Sequence, residues 1–173
     1  MTELILANEE YLKYIKEHYL NVQKAWDELQ SKCRDKNENF INDDWLYHSI
    51  CQGIKYHDMS KFSEFEFIQY RRRFYPTREE LKDKDIIDRD FEKAWAHHKE
   101  QNRHHWENWT TMKDDHPGKI VCLVENICDW MAMSYKFKDT ARQYYERNKA
   151  KILMPKDWEK RMYEIFRYLE ETR

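Results

Sequence analysis

Glycine and proline are nearly absent from this chain, with two glycines, Gly53 and Gly118, and three prolines in 173 residues. β-Hairpins and phosphate-cradling loops need residues that tolerate positive φ. A sheet protein and a P-loop enzyme are therefore both disfavoured. Cysteine is sparse too. Cys33, Cys51, Cys122 and Cys128 show no C-x-x-C spacing, so a cysteine-based zinc cluster lacks its signature. No signal-peptide pattern is present, and no apolar run approaches the roughly 20 residues that span a bilayer. A cytoplasmic protein with reduced thiols and no membrane partner is the expectation. Excess charge of one sign is also missing. The formal net charge is −2 and the isoelectric point lies near 6.5, which gives no overall attraction to nucleic acid or to an anionic surface.

Charge of both signs and aromatic rings are what the chain has in quantity. Charged residues make up 37% and the mean hydropathy is −1.12, values that alone would suggest disorder. Seven Trp and twelve Tyr argue against it, because disordered chains are poor in aromatics. A chain of this length suits one domain that buries about 70% of its unfolded surface. No repeat, low-complexity stretch or Pro/Gly/Ser linker divides it.

The hydrophobic pattern predicts an all-α domain of about six to eight helices. Tyr11, Ile15, Tyr19, Val22, Trp26 and Leu29 recur at spacings of three and four, marking a helix from Asn8 to Cys33,. His18 lies on that apolar face. A second helix runs from Asp43 to Tyr56 with Trp45, Ile50 and Ile54 inward, and its phase leads on to His57 and Asp58. Ser63 with Glu66 has capping-box spacing, so a third helix starts there and stops before Pro76; Thr77 with Glu80 starts a short one. A long helix is expected from Asp85 to Trp109, carrying the stripe Phe91, Trp95, His98, Asn102, His105 and Trp109. Asp115 before Pro117 opens the next, with Ile120, Val124, Ile127 and Met131 on its apolar side and Asp129 among them. Helices over Asp139–Lys151 and Pro155–Glu171 close the chain.

The informative residues are polar groups inside these apolar stripes. Burying an imidazole or carboxylate without a partner is costly, so such groups are paired or bind metal. Both are good ligands for first-row divalent ions, and helix bundles hold metals through side chains aimed inward from several helices. His18, the His57-Asp58 pair, Asp129 and the doublets His97-His98 and His104-His105 are the candidates. Neighbours on a helix point about 100° apart, so His57 and Asp58 can serve one ion only where the helix ends. The bland alternatives are a hydrogen-bonded core histidine at His18, a helix-terminal pair at His57-Asp58, a salt-bridge acceptor at Asp129 and a solvated histidine face at the doublets. His48 and His116 are read as structural. Arg71, Arg72 and Arg73 are either a solvated basic face or a clamp for substrate phosphates. Trp95, Trp106, Trp109 and Trp130 are core residues or stacking surfaces for a base.

The order His18, then H-D-M-S-K over His57–Lys61, then histidines, then Asp129 resembles the HD-domain superfamily. The stretches H-D-M-S-K-F, A-W-A-H-H, N-R-H-H-W and I-C-D-W-M-A-M are also similar to a small uncharacterised family of phages and Firmicutes, a likeness that spans most of the chain and brings no activity. The HD resemblance implies an all-helical fold holding one or two divalent transition-metal ions (Fe, Mn, Co or Zn). The implied ligands are His18, His57, Asp58 and Asp129, joined by His98 and His105, with His97 and His104 contacting metal or substrate. It further implies hydrolysis of a small phosphate ester such as a nucleotide, with Asp58 and Lys61 catalytic and Lys61 approaching the substrate. Three features depart from the pattern, the first being the long interval from His18 to His57. The histidine doublets are only seven residues apart, and Trp106 stands where cyclic-dinucleotide hydrolases carry G-Y-P. Two rival functions follow from the same residues: a di-iron oxygenase, or a non-enzymatic binding protein with a structural metal.

Overall fold

The computed structural model describes residues 1–171. All regular structure among the described residues is helical: α1 (Thr2–Cys33), α2 (Asn39–Asn42), α3 (Asp44–Lys55), α4 (Glu64–Phe74), α5 (Lys84–Gln101), α6 (Trp106–Trp109), α7 (Gly118–Phe137), α8 (Ala141–Asn148) and α9 (Lys156–Glu170), with 3-10 turns at Met59–Phe62 and Glu80–Asp83. The all-α expectation holds, in a few more and shorter pieces than expected.

The chain forms two compact units. The first comprises Met1–Tyr19 and Asp58–Asn102, and the second Leu20–His57 and Arg103–Arg173. Each has its own apolar core. In the first, Tyr11, Ile15, Tyr70 and Ala94 are buried with Tyr14, Phe67, Tyr75, Phe91 and Trp95 packed on them. In the second, the core is built around Val22, Leu29, Ile50, Leu123, Ile127 and Phe166.

Local chemistry explains most of the boundaries. Asp43 caps α3 by accepting from the Leu46 amide at 2.9 Å, Ser63 caps α4, and Thr140 with Gln143 forms a full capping box on α8,. Three expectations need correction. Helix α1 starts at Thr2 instead of Asn8. The residues before Asn8 are strong helix formers, but Leu4, Ile5 and Leu6 are exposed and so show no buried periodicity. On α3 Ile50 and Ile54 are inward as expected, but the first inward residue is Leu46, and Trp45 is 57% exposed. The helix expected to reach Trp109 stops at Gln101. Asn102 turns its amide back onto the His98 carbonyl at 2.7 Å and onto Ser60 Oγ at 2.7 Å, and its backbone is extended. His104 and His105 therefore do not continue the stripe of His98; His105 stands at the start of the one-turn helix α6.

Candidate metal centre

The H-D-M-S-K segment sits where α3 ends and a 3-10 turn begins. Helix α3 closes at Lys55, and Asp58 adopts a left-handed conformation, φ 56° and ψ 22°. Aspartate is among the few non-glycine residues that adopt this conformation readily. A 3-10 helix has three residues per turn, so positions three apart eclipse. Lys61 consequently stands over Asp58, with its amide on the Asp58 carbonyl at 2.9 Å and Nζ donating to Oδ2 at 2.5 Å. The fixed D-x-x-K spacing thus makes a buried lysine–carboxylate pair.

In the first unit, Asp58 is also approached by two histidines. His18 Nε2 lies 3.5 Å from Oδ2 and His98 Nε2 lies 3.2 Å from Oδ1. His98 is held from behind by Glu66, which is fully buried. Glu66 accepts from His98 Nδ1 at 2.9 Å, from His97 Nδ1 at 2.7 Å and from Ser60 Oγ at 2.9 Å. Facing a carboxylate, each Nδ1 donates to it, and the other ring nitrogen, Nε2, points away from Glu66. Burial pushes the Glu66 carboxyl up, but hydrogen bonds from His98, His97 and Ser60 outweigh it and leave it lowered. Burial pushes His98 down, and the Asp58 charge with hydrogen bonds to Asp58 and Glu66 outweighs that, so His98 is raised.

The second unit repeats this device. Glu125 Oε1 accepts from His57 Nδ1 at 3.0 Å and pairs with His104 Nδ1 at 3.1 Å. The three side chains offer ligand atoms within 4.8 Å of one another. His57 Nε2 lies 3.7 Å from Asp129 Oδ1. Burial raises the Glu125 carboxyl, but His104 and then His57 hold it down to about 2. Glu125 and Asp129 stand four apart on α7 and so share one face. The His104 ring lies between its neighbours, its centroid 4.3 Å from that of His57 and 4.5 Å from that of the half-buried His105.

Gly53 makes room for Glu125. A Cβ at this position would fall 2.5 Å from Glu125 Oε2 and 3.2 Å from Cδ. The carboxylate could shift, but only by leaving the two histidines it braces. Gly53→Ala is expected to change thermal stability little, because gaining about 1 kcal/mol of helix propensity offsets the crowding. Its affinity for Co²⁺ should nevertheless fall by about tenfold, as for other disturbances behind a metal ligand. Calorimetric Co²⁺ titration beside a thermal melt checks both halves.

The spacing of these groups suits divalent ions. Two ligand atoms on one ion, with bonds near 2.1 Å, stand about 3.0 Å apart in octahedral and about 3.4 Å apart in tetrahedral geometry. The pairs Asp58–His98 at 3.2 Å, Asp58–His18 at 3.5 Å and Asp129–His57 at 3.7 Å fall close to that range. A carboxylate behind the histidine, as Glu66 and Glu125 supply, is the usual support of a metal-ligating imidazole.

Of the residues singled out in the sequence, the first unit brings His18, Asp58, Lys61, His97 and His98 together, and the second brings His57, His104, His105 and Asp129 together. The arginine run is engaged elsewhere. Arg71 is buried and forked onto Glu80 through Nη1 at 2.5 Å and Nη2 at 2.6 Å. Arg72 Nε lies 3.6 Å from Glu80, and Arg73 pairs with Asp88 at 3.0 Å. These pairings serve the fold of the first unit instead of a phosphate clamp. His48 bonds the Asp44 carbonyl and His116 accepts from the Gly118 amide. Trp109 and Trp130 are core residues of the second unit.

Three participants escaped the sequence reading. In the sequence Glu66 reads only as a capping residue; its amide does bond Ser63 Oγ at 3.3 Å, while its carboxylate serves histidines. Ser60 gave no signal beyond a helix start. Glu125 did leave a trace, since a second carboxylate one turn before Asp129 in an apolar helix is the same anomaly as Asp129 itself.

Residues 7–168 match the model of a family of unknown function, DUF5662. The chain belongs to that family. No curated protein and no solved structure matches it. No described helix is long and apolar enough to cross a membrane.

Proposed function

We propose that this protein is a metal-dependent phosphohydrolase of the HD type, acting on a small phosphate ester such as a nucleotide. One observation carries the reading. In each unit a buried glutamate braces a histidine at Nδ1 and leaves its Nε2 toward a second carboxylate: Glu66–His98–Asp58 in one and Glu125–His57–Asp129 in the other. A buried salt-bridge network would need only charge neutrality. This arrangement instead commits Nδ1 to the glutamate, so that Nε2, once it gives up its proton, is the atom that would ligate an ion.

His18, Asp58 and His98 in the first unit, and His57, Asp129 and His104 in the second, are the side chains that would hold ions of the Fe, Mn, Co or Zn kind. Bound there, a divalent ion supplies Lewis acidity toward water and toward a phosphoryl oxygen. Asp58 turns one oxygen to His98 and the other to His18, so it would ligate the ion and orient the attacking water. Lys61 starts on Asp58 and is placed to balance charge that develops on the phosphoryl oxygens.

The full chain loaded with Mn²⁺, Co²⁺ or Fe²⁺ is expected to release phosphate from some nucleotide or small phosphoester. Lys61→Ala should retain ion binding and lose about 10²-fold in turnover, as when one charge-stabilising donor is removed. A broad phosphoester screen that stays silent with the ion fully loaded would overturn the reading. Iron-dependent oxygen uptake by that same silent protein would replace it with a di-iron oxygenase.

A further inference from the structure

Two tyrosines of the first unit carry hydroxyls that packing does not explain. Tyr11 on α1 is fully buried and Tyr70 on α4 is 5% exposed. Neither phenol oxygen has a hydrogen-bond partner among the described residues. Both rings belong to one small core, where Phe67 packs on Tyr11 with centroids 5.0 Å apart and Phe91 packs on Tyr70 at 5.1 Å. Phenylalanine would fill these positions as well, and a buried hydroxyl with no partner is destabilising.

Both rings connect to side chains that surround Asp58, Tyr70 directly and Tyr11 through Tyr14. Tyr70 meets the His98 ring edge-on, centroids 5.7 Å apart, and Lys61 Nζ lies 5.7 Å from the Tyr70 centroid. On α1, Tyr11 stacks on Tyr14 at 6.4 Å, and Tyr14 stacks on His18 at 6.4 Å. Both phenols stand in the field of Glu66 and Asp58. Burial is the main cause that raises Tyr11, followed by Tyr14, Glu66 and Asp58. Burial likewise leads for Tyr70, followed by Glu66 and Asp58. A phenol with its ordinary pKa near 10 is a neutral O–H donor at pH 7.

Deepening the reading of a phosphohydrolase, and resting on it, we infer that Tyr11 and Tyr70 position the substrate by donating their hydroxyls to non-reacting oxygens of its phosphoryl group, beside the Lys61 ammonium. A phosphoryl group presents only acceptor oxygens on its exposed face. Two protonated phenols and an ammonium are all donors, so they match a tetrahedral oxyanion and add no further negative charge beside Asp58 and Glu66.

The test uses the full chain with Tyr11→Phe, Tyr70→Phe and the double variant. Each is followed by thermal melting, Mn²⁺ affinity, and the Kd for inorganic phosphate of the ion-loaded protein. Phosphate binding is expected to weaken about tenfold per hydroxyl, the loss of one good hydrogen bond. Mn²⁺ affinity should stay as in the wild type and melting temperatures should be equal or higher. A KM that rises in step, for any phosphoester turned over, assigns the contact to the substrate and not to free phosphate alone. Unchanged phosphate affinity would overturn the inference, and the hydroxyls would then hold buried water only. A clear fall in melting temperature for both single variants would also overturn it, because it would reveal structural hydrogen bonds. Failure of the metal reading registers separately, as wild-type protein that takes up no divalent ion; the same phosphate titration on the ion-free chain then decides the tyrosines.

Discussion

Asp58→Asn is expected to abolish turnover, by at least about 10³-fold, while the protein stays folded. Losing a group that both ligates and orients the nucleophile removes stabilisation made in the transition state, at about 1.4 kcal/mol per tenfold. Asparagine is the right replacement because it is isosteric and, like aspartate, tolerates the left-handed backbone seen at φ 56°,. An alanine there would add backbone strain to the loss of charge and confuse the two. The change leaves Lys61 Nζ beside a neutral amide in place of a carboxylate at 2.5 Å, so some loss of stability is expected with the loss of rate. Metal content measured on purified protein should fall with activity. Full ion occupancy with full turnover in Asp58→Asn would remove Asp58 from the site altogether.

Glu125→Leu is expected to produce the second large effect, on metal affinity. Glu125 makes no ligand bond in the proposed arrangement. It accepts from His57 Nδ1 at 3.0 Å and from His104 Nδ1 at 3.1 Å, and both rings depend on it for tautomer and direction. Its removal should weaken ion binding by about 10–100-fold, as for other carboxylates behind a metal histidine. Glu125→Gln separates orientation from charge: its amide oxygen can still accept one Nδ1 proton, so part of the affinity should return. Stability need not fall in proportion, because leucine fills the space and the desolvated charge is gone. Titrating Co²⁺ into both variants, with a melt of each, distinguishes these outcomes. Equal affinity in Glu125→Leu and the wild type would mean that Glu125 is a structural ion-pair member.

The two glutamates show why part of the site was legible in sequence and part was not. His57, Asp58 and Lys61 announce themselves because their chemistry and spacing are local: a helix must end there, and a 3-10 turn sets Lys61 over Asp58. His18 and Asp129 stand out as polar interruptions of apolar stripes. Glu66 lay hidden, since its position satisfies a capping box with Ser63 and nothing nearby in sequence predicts histidines thirty residues downstream. Tyr11 and Tyr70 read as ordinary aromatic core. Only the absence of a partner at their oxygens sets them apart.

What the sequence determined by itself follows from short-range rules. Scarce glycine and proline, periodic apolar residues and helix-start signals dictated an all-helical chain, and the local H-D-x-x-K segment marked His57, Asp58 and Lys61 as candidates. What only tertiary structure decided depends on residues far apart in the chain. Asn102 ended α5 by reaching Ser60, which separated His98 from His104 and His105 along the backbone. Glu66 and Glu125 acquired their roles from histidines that packing brought to them, and Arg71 was drawn from a possible phosphate clamp into a fork on Glu80. Helix propensity and periodicity act within one or two turns, whereas the partner of a buried charge is chosen by whichever side chain the folded core places within hydrogen-bonding distance.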